Sequence, residues 1–291
     1  MSKPGGFLRR QTHSVFCTPQ RDEKKKGCVS EIMKKWTAVL VALCLVLGLS
    51  GAFAEEKDLL DTVLERGTLI VGTEGTYAPN SYYDEEGTLV GFDVEVAAAI
   101  AEKLGVKVEY YVNTWSALFM GMDNGQCDTV INEVEVTEER KLKYDFSAPY
   151  TYIHGALLVA EDNDDIQGFD DVQGKRAAQN ATSTWGMLAE SLGATIVPVN
   201  GDAETFELIK TGRADLTLNA ETAFNNYMTA HPEEKVKIVA RTDSASSSVV
   251  PVPKGSGRFL EAVNKAIEEL RADGTLSALS LKYFGFDYTQ E

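Results

Sequence analysis

Basic residues are scarce in this chain of 291 residues, where 28 Lys and Arg stand against 44 Asp and Glu for a formal net charge of −16. The shortage deepens beyond the N-terminal region. Residues 1–54 hold nine of the basic and three of the acidic residues, leaving 19 and 41 in the remainder and a net charge of −22. A surface of that sign repels phosphate backbones, which argues against a nucleic-acid partner, and it disfavours the steering of acidic ligands. Cysteine is also sparse. Cys17, Cys28 and Cys44 fall in the first 54 residues, so Cys127 stands alone afterwards and no internal disulfide can form, even in an oxidising compartment. Beside a short apolar strand, Cys127 reads as a small core residue. His154 and His231 are isolated. With no nucleophile beside a base, no metal-ligand cluster and no phosphate loop, neither a metal nor another cofactor is expected.

Long apolar runs are limited to Trp36–Phe53, which follows Met33-Lys34-Lys35 and ends in the small-residue site Ala52-Phe53-Ala54. That pattern predicts a secretory signal over 33–54, cleaved before Glu55, and a periplasmic or extracellular location. A run of about 18 residues, broken by Gly48, Ser50 and Gly51, is short for a membrane span. Lipid attachment at Cys44 is disfavoured by the bulky Leu43 before it. Residues 1–32, with Lys24-Lys25-Lys26, resemble neither signal nor core and read as a mis-assigned translation start.

The remaining 237 residues suffice for two moderate cores. Thr68–Thr73 reads as a strand. Asp93 reads as the cap of a helix that carries Val96, Ile100 and Leu104 on one face and stops at Gly105. Val106–Val112, a helix over Ser116–Asn124 and a strand over Asp128–Asn132 follow. After Gly155–Ala160 and an acidic linker the rhythm restarts: Lys175–Gln179, a helix near Thr182–Leu192, Thr195–Pro198, a helix over Asp202–Thr211, then Ala214–Asn219 and Lys235–Ala240. Ser244–Ser248 reads as a returning connection, and amphipathic helices over Arg258–Ala272 and Leu276–Phe284 close the chain. This alternation predicts an α/β fold with mostly parallel sheets and a ligand site beyond the carboxyl ends of the strands.

Residues 128–150, DTVINEVEVTEERKLKYDFSAPY, are the most informative stretch. Thr137 can cap the turn Glu138-Glu139-Arg140, and Asp145-Phe146-Ser147 with Pro149 breaks the helix. Arg140 then sits one helical turn past a strand end, where its planar fork can take a ligand carboxylate through two parallel hydrogen bonds. An ordinary surface arginine near two glutamates is the competing reading.

The same stretch, together with Gly72-Thr73, Gly91-Phe92-Asp93-Val94, Gly212-Arg213-Ala214-Asp215, Asp273-Gly274-Thr275-Leu276 and Lys282-Tyr283-Phe284-Gly285, resembles the bacterial extracellular solute-binding proteins of family 3, with the cystine-binding branch nearest. Each motif is weak alone. Their joint order is specific, and the resemblance covers nearly all of the chain after residue 54. It implies a two-lobed periplasmic binding protein of type II: lobe 1 from 55–153 and 247–291, lobe 2 from 154–246, with hinge crossings near Tyr150–Leu158 and Ala245–Val252. It further implies an amino-acid ligand, an ABC permease with a cytosolic ATPase as partner, and a monomer.

Carried onto this sequence, the resemblance makes Tyr77 a cover for the ligand side chain and Trp115 an opposite wall, though both can equally be loop anchors. Glu133 and Glu135, two apart on an extended segment, should point the same way and meet the ligand ammonium, or else be solvated at a strand end. Thr182 and Ser183, before a helix, offer hydroxyl and backbone N–H groups to the carboxylate, or merely cap that helix. The family's amino-binding aspartate is replaced by Ala220, with Glu221 next to it as a substitute only if the backbone reorganises. The leading reading is a non-catalytic receptor for a polar amino acid, with cystine as the candidate. The alternative is an enzyme resembling cyclohexadienyl or arogenate dehydratases, with a cleft carboxylic acid as general acid. A signalling receptor would need an output domain after Glu291 or a retained anchor.

Overall fold

The computed structural model describes residues 58–291. The expected extension 1–32, the signal segment 33–54, Cys44 and the cleavage before Glu55 lie outside the described residues.

Helix α1 (Leu59–Arg66) is capped by Asp58, whose carboxylate accepts the Leu60 N–H at 2.9 Å. Strand β1 (Thr68–Thr73) follows, then a small antiparallel ribbon of β2 (Thr76–Tyr77), β3 (Ser81–Tyr83) and β4 (Leu89–Val90). Helix α2 (Phe92–Leu104) corrects one expectation, because Gly91 rather than Asp93 holds the cap position, at φ 137°. A Cβ at Gly91 would lie 2.2 Å from the Asn80 carbonyl oxygen, so a side chain does not fit there. Asp93 instead lies inside the first turn, buried, and accepts the Tyr150 hydroxyl at 2.9 Å.

Strand β5 (Lys107–Val112), helix α3 (Trp115–Asp123) and β6 (Thr129–Val130) complete a parallel sheet in the order β5-β1-β6. Its two faces follow from the alternation of β1. Leu69 and Val71 enter a core with α2 and the C-terminal helices, while Ile70 packs on the other face with Leu118, Met122 and Cys127. Burial there pushes the Cys127 thiol up to about 12, so it stays protonated. β6 is shorter than the expected Asp128–Asn132 because the chain bends at Asn132-Glu133, where Glu133 takes the left-handed φ of 52°.

Thr137 caps α4 (Glu138–Lys143) as expected, its hydroxyl accepting the Arg140 N–H at 3.1 Å. Strand β7 (Tyr144–Phe146) leads to the long β8 (Thr151–Ala160), which enters the second lobe. That lobe contains β9 (Arg176–Gln179), α5 (Thr184–Ser191), β10 (Thr195–Pro198), α6 (Asp202–Lys210), β11 (Thr217–Ala220) and α7 (Glu221–Ala230). The return strand is β12 (Val236–Ser248). β9 and β10 pair in parallel, β11, β8 and β12 pair antiparallel, and an isolated parallel bridge between Ala177 and Leu216, the residue before β11, joins the two groups. The second sheet is therefore mixed, because the two crossing strands themselves form part of it and run in opposite directions. Leu157 and Val159 face a core with Ile166, Val172 and Leu218; Ala156 and Leu158 face Phe206, Ile209 and Phe224.

Ser244–Ser248 lies on the returning connection, as expected, and is itself part of strand β12. Ala245 to Ser248 pair with His154 to Thr151, so β8 gives backbone partners to a segment whose side chains resemble a turn. After β12 the chain re-enters the first lobe: β13 (Pro251–Pro253) pairs with β7, and α8 (Gly257–Ala272) and α9 (Thr275–Phe284) place Phe259, Val263, Ile267 and Leu276 in its core.

Candidate functional site

The two lobes face each other across a cavity of about 720 Å³, a volume that includes space open to solvent. Its wall comes from the carboxyl ends of the strands. Glu74 and Tyr77 follow β1, Trp115 follows β5, and Asn132 and Glu133 follow β6; from the second lobe come Asn180 after β9, Asp202 after β10 and Asn219 near the end of β11.

Glu74 is held by a web at the top of β1. Its carboxylate accepts the Asn132 side-chain amide at 2.9 Å and the Trp115 backbone N–H at 3.2 Å, while Asn132 Oδ1 accepts the Thr73 hydroxyl at 2.8 Å and the Glu74 N–H at 2.9 Å. Burial, with the Asp202 charge adding to it and the Asn132 bond opposing it, raises the Glu74 carboxyl to about 7. Asp202 opens α6 on the other side of the cavity, and burial lifts it to about 7 as well.

Glu133 is the third carboxyl. Its Oε2 lies 2.5 Å from the Tyr77 hydroxyl and 3.0 Å from Asn80 Nδ2, and the same Tyr77 hydroxyl lies 2.9 Å from Asn219 Oδ1. Asn219 Oδ1 is identified as the acceptor by the Ala220 N–H, which donates to it at 2.9 Å. One phenol proton cannot serve both oxygens. A proton on Glu133 completes the count: the carboxyl donates to Tyr77, and Tyr77 donates to Asn219 in the other lobe. Burial is the main cause that raises Glu133 to about 8, with Asp93, Glu135 and Asp202 adding like charge against the Tyr77 bond. Burial likewise holds the Tyr77 phenol far above its usual range.

Among the expected site residues, Tyr77, Trp115, Glu133 and Ser183 line the cavity; Glu135, Arg140, Thr182 and Glu221 do not. The bend at Glu133 removes the strand geometry on which a common direction for Glu133 and Glu135 rested, and Glu135 contributes its carbonyl instead. That carbonyl accepts Arg140 Nη1 at 2.8 Å, and Arg140 Nη2 donates to the Thr182 carbonyl at 3.2 Å. The guanidinium lies 5.1 Å from the Trp115 ring centroid and 4.9 Å from that of Phe119. It is buried, its proton affinity lowered chiefly by that burial, and among the described residues it has no carboxylate within salt-bridge distance. Arg140 here braces one lobe against the other rather than facing the cavity.

Thr182 is exposed, and its N–H and hydroxyl both donate to Asn180 Oδ1, at 3.0 and 2.8 Å. Ser183 caps α5, accepting the Gly186 N–H at 2.9 Å and donating to the Asn180 carbonyl at 2.8 Å. Both hydroxyls are thus committed locally. The Thr182 carbonyl also accepts Trp115 Nε1 at 3.4 Å, a second bond between the lobes. Glu221 opens α7 and pairs with Arg241 at 2.6 Å and Tyr288 at 3.4 Å, so it does not replace a carboxylate at Ala220, which is fully buried.

Sequence reasoning passed over Glu74, Asn132, Asp202, Asn219 and Trp185. The first four had a signal, since each lies at or just past the carboxyl end of a strand. Trp185 had none: it reaches the cavity because β8 carries glycine beneath it, where a Cβ on Gly155 would meet the indole at 2.3 Å.

The model of the bacterial extracellular solute-binding proteins, family 3, matches residues 69–286. The L-cystine-binding protein TcyA of Bacillus subtilis is 40% identical over 238 residues, covering 81% of this chain and 88% of that protein. Among solved structures, an ancestral arginine-binding protein bound to glutamine is 38% identical with a TM-score of 0.72, covering 76% of this chain and 99% of that one. The L-cystine solute receptor of Neisseria gonorrhoeae, unliganded and open, is 40% identical with a TM-score of 0.56 and coverage of 81% and 100%. The type II two-lobed fold is common to these structures and to this chain. By sequence and by fold alike, this chain belongs to the bacterial extracellular solute-binding proteins of family 3.

Proposed function

We propose that this protein is the extracytoplasmic substrate-binding component of an ABC importer, closing its lobes on a polar amino acid, with cystine as the first candidate. One observation carries the reading: a single cavity is walled by side chains of both lobes and already bridged by bonds from Trp115, Arg140 and Tyr77 to the second lobe. A ligand touching both walls interacts more strongly with the closed than with the open form, which is what a closure driven by binding requires. Tyr77, Trp115 and Trp185 are the apolar walls, the three carboxyls are partners for ammonium groups, and the first N–H groups of α5 are partners for a carboxylate. In this reading lobe 1 is 55–153 with 247–291, lobe 2 is 154–246, and β8 and β12 bend between them. The protein acts as a monomer after cleavage of its signal, delivers its ligand to a permease driven by a cytosolic ATPase, binds no nucleic acid and performs no turnover.

A thermal-shift screen of free and disulfide-linked amino acids tests this. A ligand at 100 times its Kd adds about 2.7 kcal/mol, a rise of roughly 5–10 °C for a protein of this size. No shift with any amino acid overturns the proposal. Prephenate and arogenate should keep their mass when incubated with the protein; loss of carbon dioxide and water would establish the dehydratase reading instead.

A further inference from the structure

The segment that follows α9 is bound to the first lobe along its length. Gly285 ends the helix in the left-handed conformation, at φ 74°. Ser280 Oγ then donates to the Phe286 carbonyl at 2.8 Å and accepts the Tyr288 N–H at 2.9 Å, and Ser277 donates to Asp287 at 2.7 Å. Arg271 donates to the Thr289 and Pro149 carbonyls, and Thr289 is fully buried. The Tyr288 ring stands edge-on to Phe284 and Phe286, with centroids 5.7 and 5.3 Å away. A segment held in this way turns with the first lobe.

The same segment reaches the hinge. β8 has β12 along one edge and β11 along the other, but its pairing with β11 extends toward the first lobe only as far as Gly155. At Tyr152, which pairs with Ser247 of β12, the backbone N–H donates to the Tyr288 carbonyl at 2.8 Å. Tyr288 thus covers the edge of β8 that β11 leaves open. Its hydroxyl goes on to donate to Glu221 Oε1 at 3.4 Å, in the first turn of α7, directly after β11. The other Glu221 oxygen accepts Arg241 Nε of β12 at 2.6 Å, so two elements of the second lobe fix this carboxylate. Burial, with the Glu221 charge adding to it, raises the Tyr288 phenol above its ordinary value, so the phenol keeps the proton that it donates. Tyr288 lies beyond the residues 69–286 that the family model matches, and neither Tyr288 nor Glu221 lines the cavity.

We propose that Tyr288 and Glu221 form a latch between the lobes at the hinge, which favours the closed form without touching the ligand. The proposal rests on the lobes moving, as the proposed function requires, and is independent of which molecule the cleft takes. Tyr288 turns with one lobe and Glu221 with the other, so rotation about β8 and β12 changes their separation. Their contact is made together with the bonds of Trp115, Arg140 and Tyr77 across the shut cleft. Such a latch multiplies the affinity for every ligand by one factor, because it changes the fraction of protein in the binding-competent form and no contact with the guest. A residue of the cavity wall discriminates among guests instead.

Tyr288→Phe keeps the ring and the backbone carbonyl and removes only the hydroxyl. Glu221→Ala removes the acceptor, whereas Glu221→Gln keeps an acceptor oxygen. In small-angle scattering the ligand-free radius of gyration should rise in Tyr288→Phe and in Glu221→Ala, rise no further in the double variant, and match the parent in Glu221→Gln. Calorimetric titration with L-cystine, L-arginine and L-glutamine should show an affinity loss of about 3–5-fold in Tyr288→Phe, the worth of roughly one hydrogen bond, equal for each amino acid that binds. A radius unchanged or smaller in both single variants overturns the latch, and so does a loss of affinity that differs from one ligand to the next. Absence of binding by every amino acid would overturn the receptor reading, while the scattering would still decide the latch.

Discussion

Tyr77 and Asn219 stand on opposite lobes and meet at 2.9 Å, phenol oxygen to amide oxygen, with Glu133 2.5 Å behind the phenol. With the proton that its raised pKa places on Glu133, the carboxyl donates to Tyr77 and Tyr77 donates across the cleft to Asn219, which ties the protonation of one buried acid to a contact between the lobes. Tyr77→Phe removes both bonds without changing shape. It should weaken ligand binding by about 10-fold, the worth of roughly one hydrogen bond. Calorimetry checks the affinity, and small-angle scattering should show a larger ligand-free radius of gyration.

Glu133 also sets a pH dependence. Its folded value, about 8, lies above the ordinary 4.5, so the folded protein holds this proton more firmly than the unfolded chain does. Its contribution to stability is fully present below the unfolded value and is lost as pH rises through about 8; Glu74, Asp93 and Asp202, each at about 7, act in the same direction. Glu133→Gln keeps a donor for Tyr77 but carries no charge. From pH 5.5 to 8.5 the ligand-free variant should lose less Tm than the parent, by roughly 2–4 °C for each kcal/mol of linkage removed. Parallel pH profiles in scanning calorimetry would refute this role for Glu133.

Arg140 makes two hydrogen bonds to carbonyls, one in each lobe, and lies over two aromatic rings. Arg140→Ala should therefore lower the stability of the ligand-free protein by about 1.5–3 kcal/mol, the range for hydrogen bonds from a charged group. Arg140→Lys should rescue little, because a point charge does not reproduce a planar fork. Urea unfolding measures both. Full stability with abolished binding would instead mark Arg140 as a clasp for the ligand.

At Gly155 an added methyl would meet the Trp185 ring at 2.3 Å. Gly155→Ala should push the indole into the cavity, weaken ligand binding, and cost about 1–3 kcal/mol of stability through overpacking. Calorimetric titration and urea unfolding separate the two effects, and unchanged affinity would mean that Trp185 is no part of the binding wall.

Glu221 provides the contrasting case. Its carboxylate is committed to Arg241 at 2.6 Å, and it does not line the cavity. Glu221→Gln should leave affinity within about twofold, since the partner is half-exposed and such pairs contribute about 0–1 kcal/mol. A tenfold loss by the same titration would return Glu221 to the site.

Much of this molecule could be read from periodicity and punctuation. β1, α2, β5, α3 and α8 lie within a residue or so of where apolar spacing and glycine stops place them, because one-sided burial leaves its period in the sequence. The Thr137 cap and the core position of Cys127 were legible for the same local reason. The direction of each site side chain was not. Glu133 turned away from strand geometry at a left-handed φ, Arg140 found a carbonyl 42 positions away, and Asp202 came to face Glu74 from another lobe. Those relationships depend on how two lobes meet around two crossing strands, and an interaction between residues far apart in sequence leaves no period to read. Local propensities determined the elements, and the joint order of short motifs carried the resemblance to the family; the packing of one lobe against the other decided which charges share the cleft.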